Sequence, residues 1–132
     1  MGPSGPESES VSEQEEKENM EKRTQEINER LKAEGEAAVE GIIEDLKKYH
    51  ENGNWDKFFE EDILDYQLIV SPDKKEILGF SILLTMGGPF MEFLCERNTG
   101  EILYYFGDIE IRREVDPEIC DDIIGFLEEI TP

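Results

Sequence analysis

The chain has 132 residues, 34 of them acidic and 13 basic, so its formal net charge at pH 7 is −21. This length and a hydrophobic content of 37% predict one small domain with a modest core. The acidity, the absence of an apolar run of about 20 residues or a basic leader, and the absence of basic patches argue against a membrane span, a membrane surface and direct binding to nucleic acid.

Residues 1–14 form an acidic segment of low complexity. They contain Ser, Glu, Gly and Pro, and Val11 is the single apolar residue after the initial methionine. So little apolar surface does not offset the entropy of ordering the chain, which predicts disorder. Part of this segment, residues 2–5, has the composition of a vector-derived remnant. Ser12 and Glu15 then match a capping box, which predicts the start of a helix.

A long amphipathic helix is predicted for residues 15–53, most firmly over residues 24–50. Its apolar residues recur at spacings of three, four and seven, as on one side of a helix. Gly35 and Gly41 weaken this helix, each by up to about 1 kcal/mol relative to Ala. The apolar positions are Ile27, Leu31, Ala38, Val39, Ile42, Ile43, Leu46 and Tyr49.

The long helix is expected to end at Asn52-Gly53-Asn54. Asn54 is of a residue type that caps helices, so it predicts a second, short helix over residues 55–61. The chain is therefore divided into the disordered residues 1–14, the long helix of residues 15–53 and an α-ββββ-α domain of residues 54–132.

Four strands are predicted after the short helix, because apolar and polar residues alternate there with a period of two. Turn residues separate them at Ser71-Pro72-Asp73-Lys74, Gly87-Gly88-Pro89 and Asn98-Thr99-Gly100. These connections are too short for crossovers, so an antiparallel meander is expected. The predicted strands are residues 64–70, 76–86, 90–97 and 101–112.

The fourth predicted strand contains a glycine near its centre. We expect Leu103, Tyr105, Ile109 and Ile111 to share one side of this strand, with a bulge or a bend at Gly107.

The last element has the clearest helix signals. Asp116 is a capping residue type and Pro117 occupies the first helical position. An apolar stripe follows, which should pack on the sheet. The predicted fold class is therefore α+β, with the amphipathic helices covering one face of a four-stranded sheet. The stripe consists of Ile119, Cys120, Ile123, Ile124, Leu127 and Ile130.

The acidic residues are concentrated near the end of the chain, where residues 114–129 contain seven acids and no base. At 100° per residue, most of them fall opposite the isoleucine stripe. Glu128 and Glu129 lie in the last turn, where the helix dipole favours cations, so helix stability does not explain them. Solubility and a cationic partner are the two interpretations. The candidate partner-binding residues are Glu114, Asp116, Glu118, Asp121, Asp122, Glu128 and Glu129.

A second acidic group extends from the short helix into the first strand, diluted only by Lys57. It is either a patch for an Arg-rich surface or a solvated helix leading into a strand. Its members are Asp56, Glu60, Glu61, Asp62 and Asp65. In the long helix, by contrast, pairs such as Glu44 and Lys48 favour a solvated face with internal ion pairs.

No catalytic, metal-binding or cofactor motif is recognised, so enzyme activity is not expected. His50, the single histidine, lies at the predicted end of a helix, where a structural role is favoured. Cys95 and Cys120 lie on apolar faces, which predicts buried, reduced thiols and a cytoplasmic protein.

Two functions remain open. The first is an inhibitor that presents carboxylates to the basic nucleic-acid-binding surface of another protein and competes with DNA or RNA. The second is an assembly partner that binds a basic protein or self-associates through the long helix. Glu34 and Gly35 interrupt the stripe of that helix, so a stable coiled-coil dimer is disfavoured and a monomer is expected.

Residues 84–130 contain strands with the segments Gly87-Gly88-Pro89, Asn98-Thr99-Gly100 and Tyr104-Tyr105-Phe106-Gly107, followed by an acidic terminal helix. With these features the stretch resembles small acidic proteins of phages and prophages, some of which are anti-CRISPR inhibitors. It implies a phage or mobile-element context, a host-cell location and inhibition of a Cas nuclease. It transfers no binding residue.

Overall fold

A computed structural model describes residues 4–96 and 99–131, with side chains described from residue 13 onward. The fold is α+β, with a long N-terminal helix, an antiparallel sheet and a C-terminal helix. The helical elements are α1 (Ser4–Asn52), α2 (Trp55–Lys57), a π-helical turn (Phe58–Asp62) and α3 (Pro117–Ile130). The strands are β1 (Asp65–Val70), β2 (Ile77–Thr85), β3 (Phe90–Glu96), β4 (Thr99–Phe106) and β5 (Ile109–Val115).

The chain divides into two units, Met1–Glu34 and Gly35–Pro132, with the boundary inside α1. α1 begins at Ser4, before the predicted capping box at Ser12, and it includes most of the segment for which the sequence predicts disorder. The sequence contains no glycine or proline between Pro6 and Gly35, so nothing in that stretch terminates a helix once it has begun.

The sheet is the expected antiparallel meander, but it has five strands in the order β1-β2-β3-β4-β5 instead of four. The single strand predicted over residues 101–112 is in fact the hairpin of β4 and β5. Phe106 pairs with Ile109, which leaves Gly107 and Asp108 as a two-residue turn. Gly107 has a φ of +59°, a conformation that two-residue hairpin turns require and glycine adopts readily.

The hairpin also corrects the predicted facing of β4 and β5. Tyr104 pairs with Ile111, whereas Leu103 pairs with Arg112. Residues that pair across a hairpin share a face, so Leu103 and Tyr105 lie on the opposite face from Ile109 and Ile111. A continuous strand would have kept all four on one side.

The core lies between one face of the sheet and the helices, as the apolar stripes predicted. The helices contribute the fully buried Val39, Leu46, Ile123 and Leu127. Cys95 and Cys120 are both buried in this core, which confirms the predicted burial of the two thiols. The sheet contributes Phe80, Ile82, Phe93 and Ile102, among others.

α1 approaches the sheet closely at Gly35. A Cβ atom at this position would lie 2.6 Å from Tyr104 Cε1 and 2.8 Å from Ile111 Cδ1. Both distances are shorter than real carbon contacts, so only glycine permits this packing. At Gly41, on the same helix, a Cβ atom would meet no other atom within 4 Å.

The segment after α1 is not one short helix: the short α2 is followed directly by the π-helical turn. Trp55 and Phe58 are buried, and their rings pack edge to face with centroids 5.6 Å apart. Asn54 does not cap this segment as predicted: its side chain makes no capping hydrogen bond, and its Oδ1 is buried without a partner. Aromatic packing therefore holds the turn where capping was expected.

Candidate protein-binding surface

The C-terminal helix α3 begins as the sequence predicts. The Asp116 side chain accepts a hydrogen bond from the Glu118 backbone N–H at 3.0 Å, and Pro117 follows at the first helical position. The Asp116 carboxylate is thus engaged in capping the helix. Ile119, Ile123 and Leu127 are buried, so the register of the helix is fixed by its apolar stripe.

The side of α3 that faces away from the core carries four exposed carboxylates. We call this set the α3 outer face; it consists of Glu118, Asp121, Glu128 and Glu129. Among the residues that the structure describes, none of the four forms an ion pair with Lys or Arg. The carboxylates are therefore free to meet a cationic surface.

Asp122 borders this face but has a different role. Its Oδ2 accepts a hydrogen bond of 2.6 Å from the indole N–H of Trp55, and lies 2.9 Å from His50 Nδ1. Burial raises the pKa of Asp122, but these hydrogen bonds and the charge of His50 outweigh it, so that the pKa is held below the usual 3.8. Asp122 thus joins the end of α1 to α3 through its Oδ2 atom, while its side chain stays 40% exposed.

The second acidic group is held beside α3 by aromatic contacts. Phe59 stacks on Phe126 of α3, with ring centroids 5.4 Å apart, and packs edge to face with Tyr66 of β1. The acidic side chains around Phe59 are exposed. Tyr49 donates a hydrogen bond of 2.5 Å to Asp62, and this bond, burial and nearby negative charges raise the pKa of Tyr49 to about 12.

The predicted partner-binding residues thus lie on two different parts of the structure. Asp56, Glu60, Glu61 and Asp62 lie on the turn that packs against α3, so the structure brings two predicted groups together. Asp65 and Glu114 instead lie on the sheet face away from the helices. They pair with Leu83 and Glu101, which alternate with the buried Ile82 and Ile102 of their strands. The alternation of apolar residues in β5 would predict the outward position of Glu114, but residues 101–112 are predicted as one continuous strand that ends before it.

Within residues 13–96 and 99–131, no group of three or more His, Cys, Asp or Glu side chains is arranged to hold a metal ion. None of the helices described is both long enough and apolar enough to cross a membrane. In α1, Glu44 pairs with Lys47 at 3.7 Å instead of the expected Lys48, and Glu40 pairs with Arg113 of β5 at 3.6 Å.

Comparison of the chain with protein-family models, curated proteins and solved structures found no match.

Proposed function

We propose that this protein is a non-enzymatic inhibitor whose α3 outer face engages the basic, nucleic-acid-binding surface of a partner protein. The observation that supports the proposal is the exposure of Glu128 and Glu129 without a cationic partner among the described residues. They are exposed, they form no ion pair with a described residue, and they lie at the helix end where the dipole opposes negative charge. A partner that supplies cations would offset this cost.

The whole chain strengthens the same interaction. A net charge of −21 attracts a Lys/Arg-rich surface from a distance, and such steering raises the rate of association strongly at low salt. A protein seated on a nucleic-acid channel excludes DNA or RNA from it. The resemblance of residues 84–130 to anti-CRISPR inhibitors makes Cas-type nucleases the first partner class to test. No cofactor enters this function.

The proposal is tested by competition for DNA. Purified RNA-guided nucleases of several types are incubated with labelled target DNA, and the displacement of DNA and the loss of cleavage are measured as the protein is added. We expect the protein to displace DNA from at least one nuclease, and its apparent affinity for that nuclease to fall steeply as salt is raised. A cleavage rate that stays unchanged for every nuclease at low salt would reject the nuclease as partner. Salt-independent displacement would reject the electrostatic mechanism.

Self-association through α1 is a second candidate, favoured by the exposure of Met20 and Ile27 on the first unit. However, Val39 and Leu46, which continue the same stripe, are buried in the core of the second unit. The stripe that is left is shorter than the three to four heptads typical of coiled coils. Light scattering on the full chain and on residues 35–132 separates these cases, because a dimer that becomes a monomer on truncation would support self-association.

A further inference from the structure

The sheet face that points away from the helices is unusually apolar. In an antiparallel sheet with one packed face, the other face normally carries polar side chains. On β2, β3 and β4 it carries five large apolar or aromatic residues, and Leu103 among them is only 9% exposed although it lies outside the core cluster. Within Gly35–Pro132, no described element packs on this face. The five residues are Leu83, Phe90, Leu94, Leu103 and Tyr105.

Carboxylates alternate with these apolar residues. Glu101 and Glu114 lie directly opposite each other on β4 and β5, an arrangement of like charges that destabilises a sheet. Arg112 is the one described cation on the face, and Glu101 and Glu110 already hold it at 3.4 Å and 2.7 Å. Among the described residues, the face therefore carries more negative than positive charge around an apolar centre. Its acidic residues are Asp65, Glu92, Glu96, Glu101, Glu110 and Glu114.

The shape of the face suits one helix. A groove of about 550 Å³ is lined by Leu94 together with Glu101 and Glu114. Leu83 and Leu103 lie on β2 and β4, and these strands are separated by two strand spacings, or roughly 10 Å. An α-helix with its side chains is about 10–12 Å wide, so one helix covers the apolar centre and places its flanks over the acidic residues.

We propose that this outward sheet face is a second docking surface, which binds an amphipathic helix of a partner protein with apolar residues along one side and Lys or Arg on both flanks. A second copy of the chain is a poor occupant, because it would bring six carboxylates against six others. The inference does not rest on the proposed function, since the surface lies on the opposite side of the sheet from α3.

Designed peptides provide the probe. The first is an 18-residue helix with a leucine stripe flanked by Lys and Arg; the second has the same residues in scrambled order; the third has Glu in place of the basic residues. Binding is measured by fluorescence anisotropy of the labelled peptides, and the site is mapped by NMR chemical shifts of the unmodified protein. We expect saturable binding of the first peptide alone, with shifts at Leu94, Leu103 and Glu101.

Two variants measure how much the apolar contact and the carboxylates each contribute to peptide binding. Leu94→Ser should weaken binding of the first peptide by at least about tenfold, because the leucine contact is lost. E101Q/E114Q should weaken it severalfold and reduce its dependence on salt. The matched control E128Q/E129Q removes the same charge from α3 and should leave binding unchanged. Thermal unfolding verifies that each variant is folded.

Three results would overturn the inference. The first is equal binding of the ordered and scrambled peptides, and the second is the absence of saturable binding by any peptide. The third is a set of shifts confined to α3, which would instead favour the α3 outer face as a general cation-binding surface. Failure of the α3 outer face to displace DNA would leave the peptide result untouched.

Discussion

At the scale of a residue, Asp122 shows how tertiary contacts distinguish two neighbouring carboxylates of one helix. By sequence it belongs with Asp121, one position earlier on the same acidic helix. In the structure Asp121 is exposed, whereas Asp122 accepts hydrogen bonds from Trp55 and His50, which lie more than 60 residues earlier in the chain. Helical periodicity places Asp122 with Asp121 on the side opposite the isoleucine stripe, but the hydrogen-bond partners of Asp122 depend on tertiary packing that periodicity does not contain.

Replacement of Asp122 should destabilise the protein in a pH-dependent way. Asp122→Ala leaves the buried Trp55 indole without an acceptor, which costs about 1–3 kcal/mol. Because the pKa of Asp122 is lowered in the folded protein, its stabilisation is complete above the unfolded value of 3.8 and is lost as the pH falls through the folded value. Urea unfolding followed by Trp55 fluorescence should therefore show a wild-type advantage at pH 7 that shrinks below about pH 4.

Asp121→Ala is the control, and it should change the unfolding free energy little at either pH. Equal effects of the two substitutions would mean that the Trp55 and His50 contacts do not contribute to stability.

The two glycines of α1 should respond in opposite directions to alanine. Gly35→Ala places a carbon within 2.6 Å of Tyr104 and should destabilise the protein by about 1–3 kcal/mol through overpacking. Gly41→Ala meets no atom within 4 Å and should stabilise it by about 0.5–1 kcal/mol through helix propensity. Thermal unfolding of both variants measures the difference, and a stabilising Gly35→Ala would contradict the close approach of α1 to the sheet.

At the scale of elements, the sequence predicted the type of every large element and the meander, because each has its own apolar period. It failed at the β4–β5 hairpin, because Gly107-Asp108, a dipeptide typical of two-residue hairpin turns, is interpreted there as a bulge or bend within one continuous strand. That one error also hid the outward sheet face, since it placed Leu103 and Tyr105 on the same side as Ile109 and Ile111. The predicted capping hydrogen bond of Asn54 is absent, and the aromatic packing of Trp55 and Phe58 stabilises the local conformation instead.

The last turn of α3 should show a trade-off between stability and binding. Lys residues at positions 128 and 129 would interact favourably with the C-terminal end of the helix dipole, so E128K/E129K should raise the free energy of unfolding by about 0.3–1 kcal/mol for each residue. E118K, at the opposite end of the same helix, should lower it for the same reason. Chemical denaturation at low salt measures both, and destabilisation by E128K/E129K would show that these carboxylates have a structural partner.

At the scale of the whole molecule, the excess of acidic residues is distributed unevenly along the chain. Residues 1–50 carry 14 acids and 7 bases, whereas residues 51–132 carry 20 acids and 6 bases. Composition alone therefore located the excess in the second part of the chain. It did not show that some of these carboxylates serve the fold, through Asp116, Asp122 and the ion pairs of Arg112, whereas others lie on two separate surfaces.

The most direct test of the central claim compares two charge-reversed proteins of equal net charge. One carries Lys at the four positions of the α3 outer face; the other carries Lys at Glu16, Glu18, Glu21 and Glu29, which are exposed on the first unit. Displacement of DNA from a responsive nuclease is measured for both across a salt series. We predict at least about a tenfold loss for the α3 variant and little change for the other. Equal losses would contradict the role of the α3 outer face, because net charge alone would then explain the interaction.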